Sequence, residues 1–123
     1  MKLTLSPLLH TWILDLDGTI VVHNGYKIYG HDLFLDGAEA FLKTIPEDDT
    51  IIFLTSRTEE YKDITEQFLA NNHIKFQQII YNAPFGERII VNDRKPSGLD
   101  MAYGINVERD STEFIEIVID KNL

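Results

Sequence analysis

Short apolar runs that end in clusters of polar residues recur along this chain. "TWILDLDGT" opens on an apolar stretch at 12–16 and carries Asp15, Asp17, Gly18 and Thr19 at its close. "TIIFLTSR" repeats the arrangement with Thr55, Ser56 and Arg57, and "ERIIVNDRK" with Asp93, Arg94 and Lys95. Continuous apolar runs of this length predict strands covered on both faces. "FQQIIY" at 76–81, "YGINV" at 103–107 and "EFIEIVID" at 113–120 read as further strands. Between them the period lengthens. Ala38, Phe41 and Leu42 fall at helical spacing after Asp36 as N-cap, with Pro46 as the stop. Thr58 predicts the cap of a second helix over 59–71, with Glu59 and Glu60 in its first turn and Tyr61, Ile64 and Phe68 on one face. Ser97 starts a short helix over 96–104, and Asn24-Gly25 in "IVVHNGYKIYG" is the signature of a tight hairpin turn.

Strands alternating with helices predict an α/β three-layer sandwich around a mostly parallel sheet. The 123 residues fit one domain, 1–123. A hydrophobic share of 44% is enough for a core. The chain has no cysteine, so it needs no disulfide and fits a reducing compartment. A formal charge of −9 counts against long nucleic acid or an anionic membrane as partner, since phosphate backbones are held by clustered Lys and Arg. "MKLTLSPLLH" is interrupted by Ser6 and Pro7 and does not read as a signal peptide, and no apolar run approaches the roughly 20 residues of a membrane span. The expectation is a cytoplasmic protein with a small-molecule ligand.

In open α/β sheets, ligands bind at the carboxyl ends of the strands. The clusters after 14, 54 and 92 fall on that one edge. Asp15 and Asp17 are two apart and point to one side if strand geometry persists. Two carboxylates there are tolerable if a hard cation such as Mg²⁺ neutralises them, and Asp93 offers a third oxygen ligand. Thr55 and Ser56 offer donors to a phosphate near a helix N-terminus, and Gly18 lies beside them. Arg57 at that N-terminus is unfavourable for the helix itself, and a bound anion would account for it. Each cluster also has a plainer reading: an Asx-type turn at Asp15 and Asp17, helix capping by Ser56 or Thr58, and a strand exit at "NDRKP". Their coincidence on one edge favours a site. The four histidines (10, 23, 31 and 73) show no metal-ligand spacing and read as surface or loop residues.

Together these residues resemble the haloacid dehalogenase superfamily of phosphohydrolases. "DLDGT" is similar to its first motif, Thr55 in "FLTSR" to its second and Asp93 in "IIVND" to its fourth, over a span of about 12–107. The resemblance implies a Rossmann-like fold and Mg²⁺-dependent phosphoryl transfer through an aspartyl-phosphate. It makes Asp15 the nucleophile, Asp17 the general acid and base, and Thr55 the holder of the phosphoryl group, with Asp15, the Asp17 carbonyl and Asp93 on the metal. An Asp at the second position of the motif favours a phosphatase over a dehalogenase. Only the hairpin separates the first motif from the first helix, so the chain resembles a capless member with a small β-hairpin flap. "NDRKPSGLDMAYGINVERD" is similar to small capless members associated with bacterial sugar and surface-polysaccharide metabolism, which implies a sugar phosphate as substrate.

The departure is the third motif, usually a lysine shortly before the fourth: "YNAPFGER" has none. Lys95 is the expected replacement and Arg57 the alternative, since Lys75 precedes its strand and falls on the opposite sheet edge. The missing lysine supports a second reading, a catalytically silent module that keeps the fold and binds Mg²⁺ and a phosphosugar. A phospho-receiver domain is disfavoured because Thr55, not an aspartate, follows "IIFL". Contacts to the leaving group are expected from His23, Tyr26 and Lys27 of the hairpin, from later loops, or from a neighbouring subunit of a homo-oligomer.

Overall fold

Lys2–Leu5 forms β1 and Thr11–Leu14 forms β2. A single helical turn, α1, spans Gly25–Ile28, and α2 spans Ala38–Thr44. β3 follows at Thr50–Leu54, and a 3₁₀ turn at Glu59–Tyr61 runs into α3, Lys62–Asn71. β4 is Gln78–Ile80 and β5 is Glu116–Ile119. The computed structural model describes residues 1–123, and all its strand ladders are parallel. They make two small sheets, β1 with β5 and β2–β3–β4 in that order, where the sequence pattern predicts one central sheet.

The larger sheet is built on β3. Ile51 and Phe53 point into the core and are 2% and 0% exposed, while Thr50, Ile52 and Leu54 lie half-buried on the other face. Full burial of a side chain such as Phe53 is worth about 1.5–3 kcal/mol. β2 pairs beside it with Leu14 opposite Phe53, and Trp12 packs edge-on against Phe41 of α2 at 6.2 Å. Phe41 in turn stacks on Phe114 at 5.6 Å, which ties the segment before β5 to the same core. In the smaller sheet, Leu3 and Leu5 alternate inward and Lys2 and Thr4 outward, the pattern of a strand with one buried face.

A polar knot fastens the N-terminal ends of β2 and β3. The Asp49 carboxylate is buried and accepts from the Trp12 indole (3.0 Å), the His10 peptide N–H (3.0 Å) and His10 Nδ1 (2.8 Å). His10 Nε2 faces the Ser6 carbonyl at 3.0 Å. His10 is therefore a structural partner and not the surface residue that its spacing suggests.

Several predicted elements differ. Asn24 does take the left-handed conformation (φ 56°), but Gly25 continues into α1, so no hairpin forms. The N–H of Val22 bonds the carbonyl of Leu33, far beyond the reach of a two-residue turn. α2 starts after Gly37 (φ 89°), one residue later than an Asp36 cap implies. α3 buries Thr65 and Leu69, and Ile64 is 47% exposed. Residues 96–104 contain a turn closed by Gly98 N–H on the Lys95 carbonyl, not a helix, and 103–107 form no strand.

The run 87–93 is also not a strand. Ile89 and Val91 are 83% and 92% exposed, and no backbone hydrogen bond involves residues 84–94. A continuous apolar run becomes a strand only where a neighbouring edge pairs its backbone. Instead Ile13 of β2 lines a groove of about 880 Å³ together with Ile90, Met101 and Ile105. No helix is long and apolar enough to cross a membrane.

Candidate active site

Because β2 and β3 are parallel and in register, their polar exits leave the sheet at the same end. Asp15 and Asp17 come from β2, and Thr55, Ser56 and Arg57 from β3; all five line one cleft of about 400 Å³. The other walls come from α1, from the 3₁₀ turn and from the loops around 85–88 and 109. This is the crevice expected of a parallel sheet.

Asp15 is one-third exposed and held at both oxygens. Oδ2 accepts from the Thr19 hydroxyl at 3.0 Å, and Oδ1 faces Arg88 Nη1 at 3.3 Å. The turn that carries Thr19 is fixed by the Leu16 carbonyl, which accepts from the N–H groups of Thr19, Ile20 and Val21. Gly18 takes φ 82°, and a Cβ there would meet Arg109 Cγ at 3.1 Å. The positive φ favours glycine, and any side chain there would also have to push the Arg109 stem aside by a few tenths of an ångström. The Gly18 carbonyl accepts from the Asp110 N–H (2.8 Å), and the Asp110 carboxylate accepts from the His23 N–H (2.9 Å), so the 108–111 loop is clamped onto the first motif.

Arg57 is buried, and its surroundings decide its role. A guanidinium has five N–H donors. Nε and Nη2 donate to the two oxygens of Asp17 (3.0 Å each). Nη2 and Nη1 donate to Asp32 at 2.7 and 2.9 Å, and Nη1 also to the Thr65 hydroxyl at 2.8 Å. Every donor is engaged inside the protein, so Arg57 has none left for a substrate anion, contrary to its expected part in binding. Its guanidinium also lies 4.0 Å over the Tyr26 ring. Burial works against the charge, but the hydrogen bonds and charges of Asp32 and Asp17 outweigh it and keep Arg57 protonated. Burial first, and then the Asp17 charge, push the Tyr26 phenol above its ordinary value.

Thr55 is buried, and its hydroxyl accepts from the Arg57 N–H at 3.1 Å, which leaves its own hydrogen free to donate. Ser56 beside it is half-buried. The remaining expected residues lie elsewhere. Asp93 is exposed in the unpaired 87–93 run, where its carboxylate accepts only a long contact from Asn92, and no group of three His, Cys, Asp or Glu side chains is arranged to hold a metal ion. Lys95 is exposed in the next turn and does not line the cleft. Lys75 precedes β4, at the opposite end of the sheet.

Two oxygens suit a hard cation, the Asp15 carboxylate and the Asp17 main-chain carbonyl, which accepts no hydrogen bond. Mg²⁺ is commonly held by one or two protein carboxylates, with waters and a substrate phosphate completing its octahedron. Both are oxygen donors of the kind Mg²⁺ takes, and Asp93 is not beside them.

Arg88 is the cation that contacts Asp15, and it lies in "YNAPFGER", the stretch where the resemblance places a lysine. A search for any cation in that stretch would have found it. Asp32 and Thr65 carry no local signal, since they meet Arg57 only through the fold. His23 lies in the turn before α1, as expected, and lines the cleft; its Nδ1 is buried against Gly18 with no partner. Compared with protein-family models, curated proteins and solved structures, the chain finds no match.

Proposed function

We propose that this chain is a Mg²⁺-dependent phosphomonoester hydrolase of the haloacid dehalogenase type, acting on a small phosphorylated metabolite such as a sugar phosphate. One observation carries the reading: Asp15, Asp17 and Thr55, which match two motifs 40 residues apart, line one cleft at the ends of adjacent parallel strands. Parallel α/β organisation with the site on that edge also supports a Rossmann-like architecture for the domain.

Asp15 attacks phosphorus in line, and the bond to the leaving oxygen breaks as the Asp15–phosphorus bond forms. Asp17 gives that oxygen a proton and then takes one from the water that hydrolyses the acyl-phosphate, regenerating both carboxyl groups. Arg57 engages one lone pair on each Asp17 oxygen, and the other lone pairs stay free to carry the proton. Thr55 and Ser56 hold the phosphoryl oxygens, and Arg88 offsets their charge, a recurrent part of phosphoryl-transfer sites. The Asp15 carboxylate and the Asp17 carbonyl would hold Mg²⁺, which supplies Lewis-acid stabilisation of the phosphoryl charge.

Asp15→Asn should lower Mg²⁺-dependent phosphate release by several orders of magnitude with an unchanged circular dichroism spectrum. Turnover within about tenfold of the native rate, roughly 1.4 kcal/mol in barrier, would reject the assignment. The silent binding module is favoured by one observation, the position of Asp93 outside the cleft. It requires Mg²⁺-dependent binding of phosphate esters with no release of phosphate from any of them.

A further inference from the structure

The cleft is positive on a negative protein. The chain has 11 Lys and Arg against 20 Asp and Glu, yet four cations line this one cleft (Lys27, Arg57, Arg88 and Arg109) beside only two carboxylates. Two of the four are already engaged, Arg57 by Asp17 and Asp32 and Arg88 by Asp15. Lys27 and Arg109 are in no ion pair.

Both are nevertheless held in place. Lys27 stands on α1 with Nζ 5.6 Å from the Tyr26 ring centroid and 5.9 Å from that of Tyr61, and these rings meet edge-on at 4.8 Å. Arg109 packs its stem on Gly18, and its loop is clamped by the Asp110 hydrogen bonds to Gly18 and His23. Long cationic side chains on a free surface gain little from being ordered. These two exposed cations line one cleft with Asp15 and Asp17, and together form a receptor for negative charge.

We propose that the natural ligand carries a second anionic group, a carboxylate or a second phosphate, and that Lys27 and Arg109 receive it while the Thr55–Ser56 end takes the reacting phosphate. The inference deepens the phosphatase reading and rests on it for the word substrate, but its test needs no turnover. Partly exposed ion pairs are individually weak, and their contribution falls with ionic strength. Two acting together in a concave site should give a preference of about fivefold or more.

The experiment is calorimetric titration, at fixed Mg²⁺ and low salt, of non-hydrolysable probes of matched length. Propylphosphonate has one anionic group, 3-phosphonopropionate adds a carboxylate, and propane-1,3-bisphosphonate adds a phosphonate. The native protein should bind at least one doubly anionic probe about fivefold or more tighter than propylphosphonate. The better of the two identifies the second group. Lys27→Gln/Arg109→Gln should bring the preference close to unity, and added salt should shrink it in the native protein. Equal affinity for all three probes overturns the proposal, as does no binding of any. A preference that survives the double substitution also overturns it. So does an equal loss on all three probes, which would assign both cations to the reacting phosphate. Failure of the phosphatase reading looks different: no phosphate is released from any ester while the probe preference stands.

Discussion

Arg57 shows how much one side chain settles. Its guanidinium joins Asp17 of the first motif to Asp32 and Thr65, with 1% of its side chain exposed and 2% of that of Asp32. Truncating it strands Asp32 as a buried charge without a partner, which costs about 3–5 kcal/mol. Arg57→Ala is therefore expected to shift the urea midpoint sharply downward. Arg57→Lys keeps the charge but cannot serve two carboxylates from a planar fork. Its activity should fall more than its stability, because Asp17 loses the bidentate contact that orients it. Equal stability of Arg57→Ala and the native protein in urea would show that the pair contributes nothing net.

At the scale of elements, the Asp49 knot joins the entrances of β2 and β3. Burial pushes the Asp49 carboxyl up, but the hydrogen bonds from Trp12 and from the His10 backbone and ring outweigh it, so the group lies below its ordinary value. A carboxyl depressed in the folded state stabilises the protein fully above its unfolded value of about 3.9. That contribution is lost as pH falls through the lower folded value. Thermal unfolding followed by the single Trp12 should show native stability dropping as acid is added from about pH 5 downward. Asp49→Asn should be less stable at neutral pH and lose less on acidification. Parallel pH curves for the two proteins would remove Asp49 from the acid response. β3 carries the other element-scale prediction: Phe53→Ala, at a site with 0% exposure, should cost about 3–5 kcal/mol by the transfer and cavity terms.

For the whole molecule, a ligand that binds only the folded arrangement raises stability by mass action. On the proposed function Mg²⁺ should raise the melting temperature, and Asp15→Ala should abolish the rise. Asp93→Ala should leave it intact, since Asp93 is exposed outside the cleft. A matching loss in Asp93→Ala would mean that Asp93 itself reaches the cleft once metal is bound.

By itself the sequence determined β2, β3, α2, α3 and β5, and the edge on which two of its polar clusters meet. Apolar runs ending in "DLDGT" and "LTSR" located β2, β3 and the residues that line the cleft, because strand burial and strand exit are written within a few consecutive positions. Helical spacing likewise located α2 and α3, though not which face of α3 is buried, since Thr65 is turned inward by a bond to Arg57 that lies outside the helix. Only the tertiary structure decided what pairs with what. β1 and β5 join the two ends of the chain, 87–93 finds no edge, and Asn24-Gly25 enters a helix while Val22 bonds Leu33. The same holds for the cleft's charges. Arg57 looked free until Asp32 and Thr65 closed on it, and Arg88 and Arg109 reach Asp15 and Gly18 across 73 and 91 residues of sequence. Hydrophobic period is a local property of the chain, whereas a hydrogen bond or ion pair belongs to two segments and exists only when folding has brought both together.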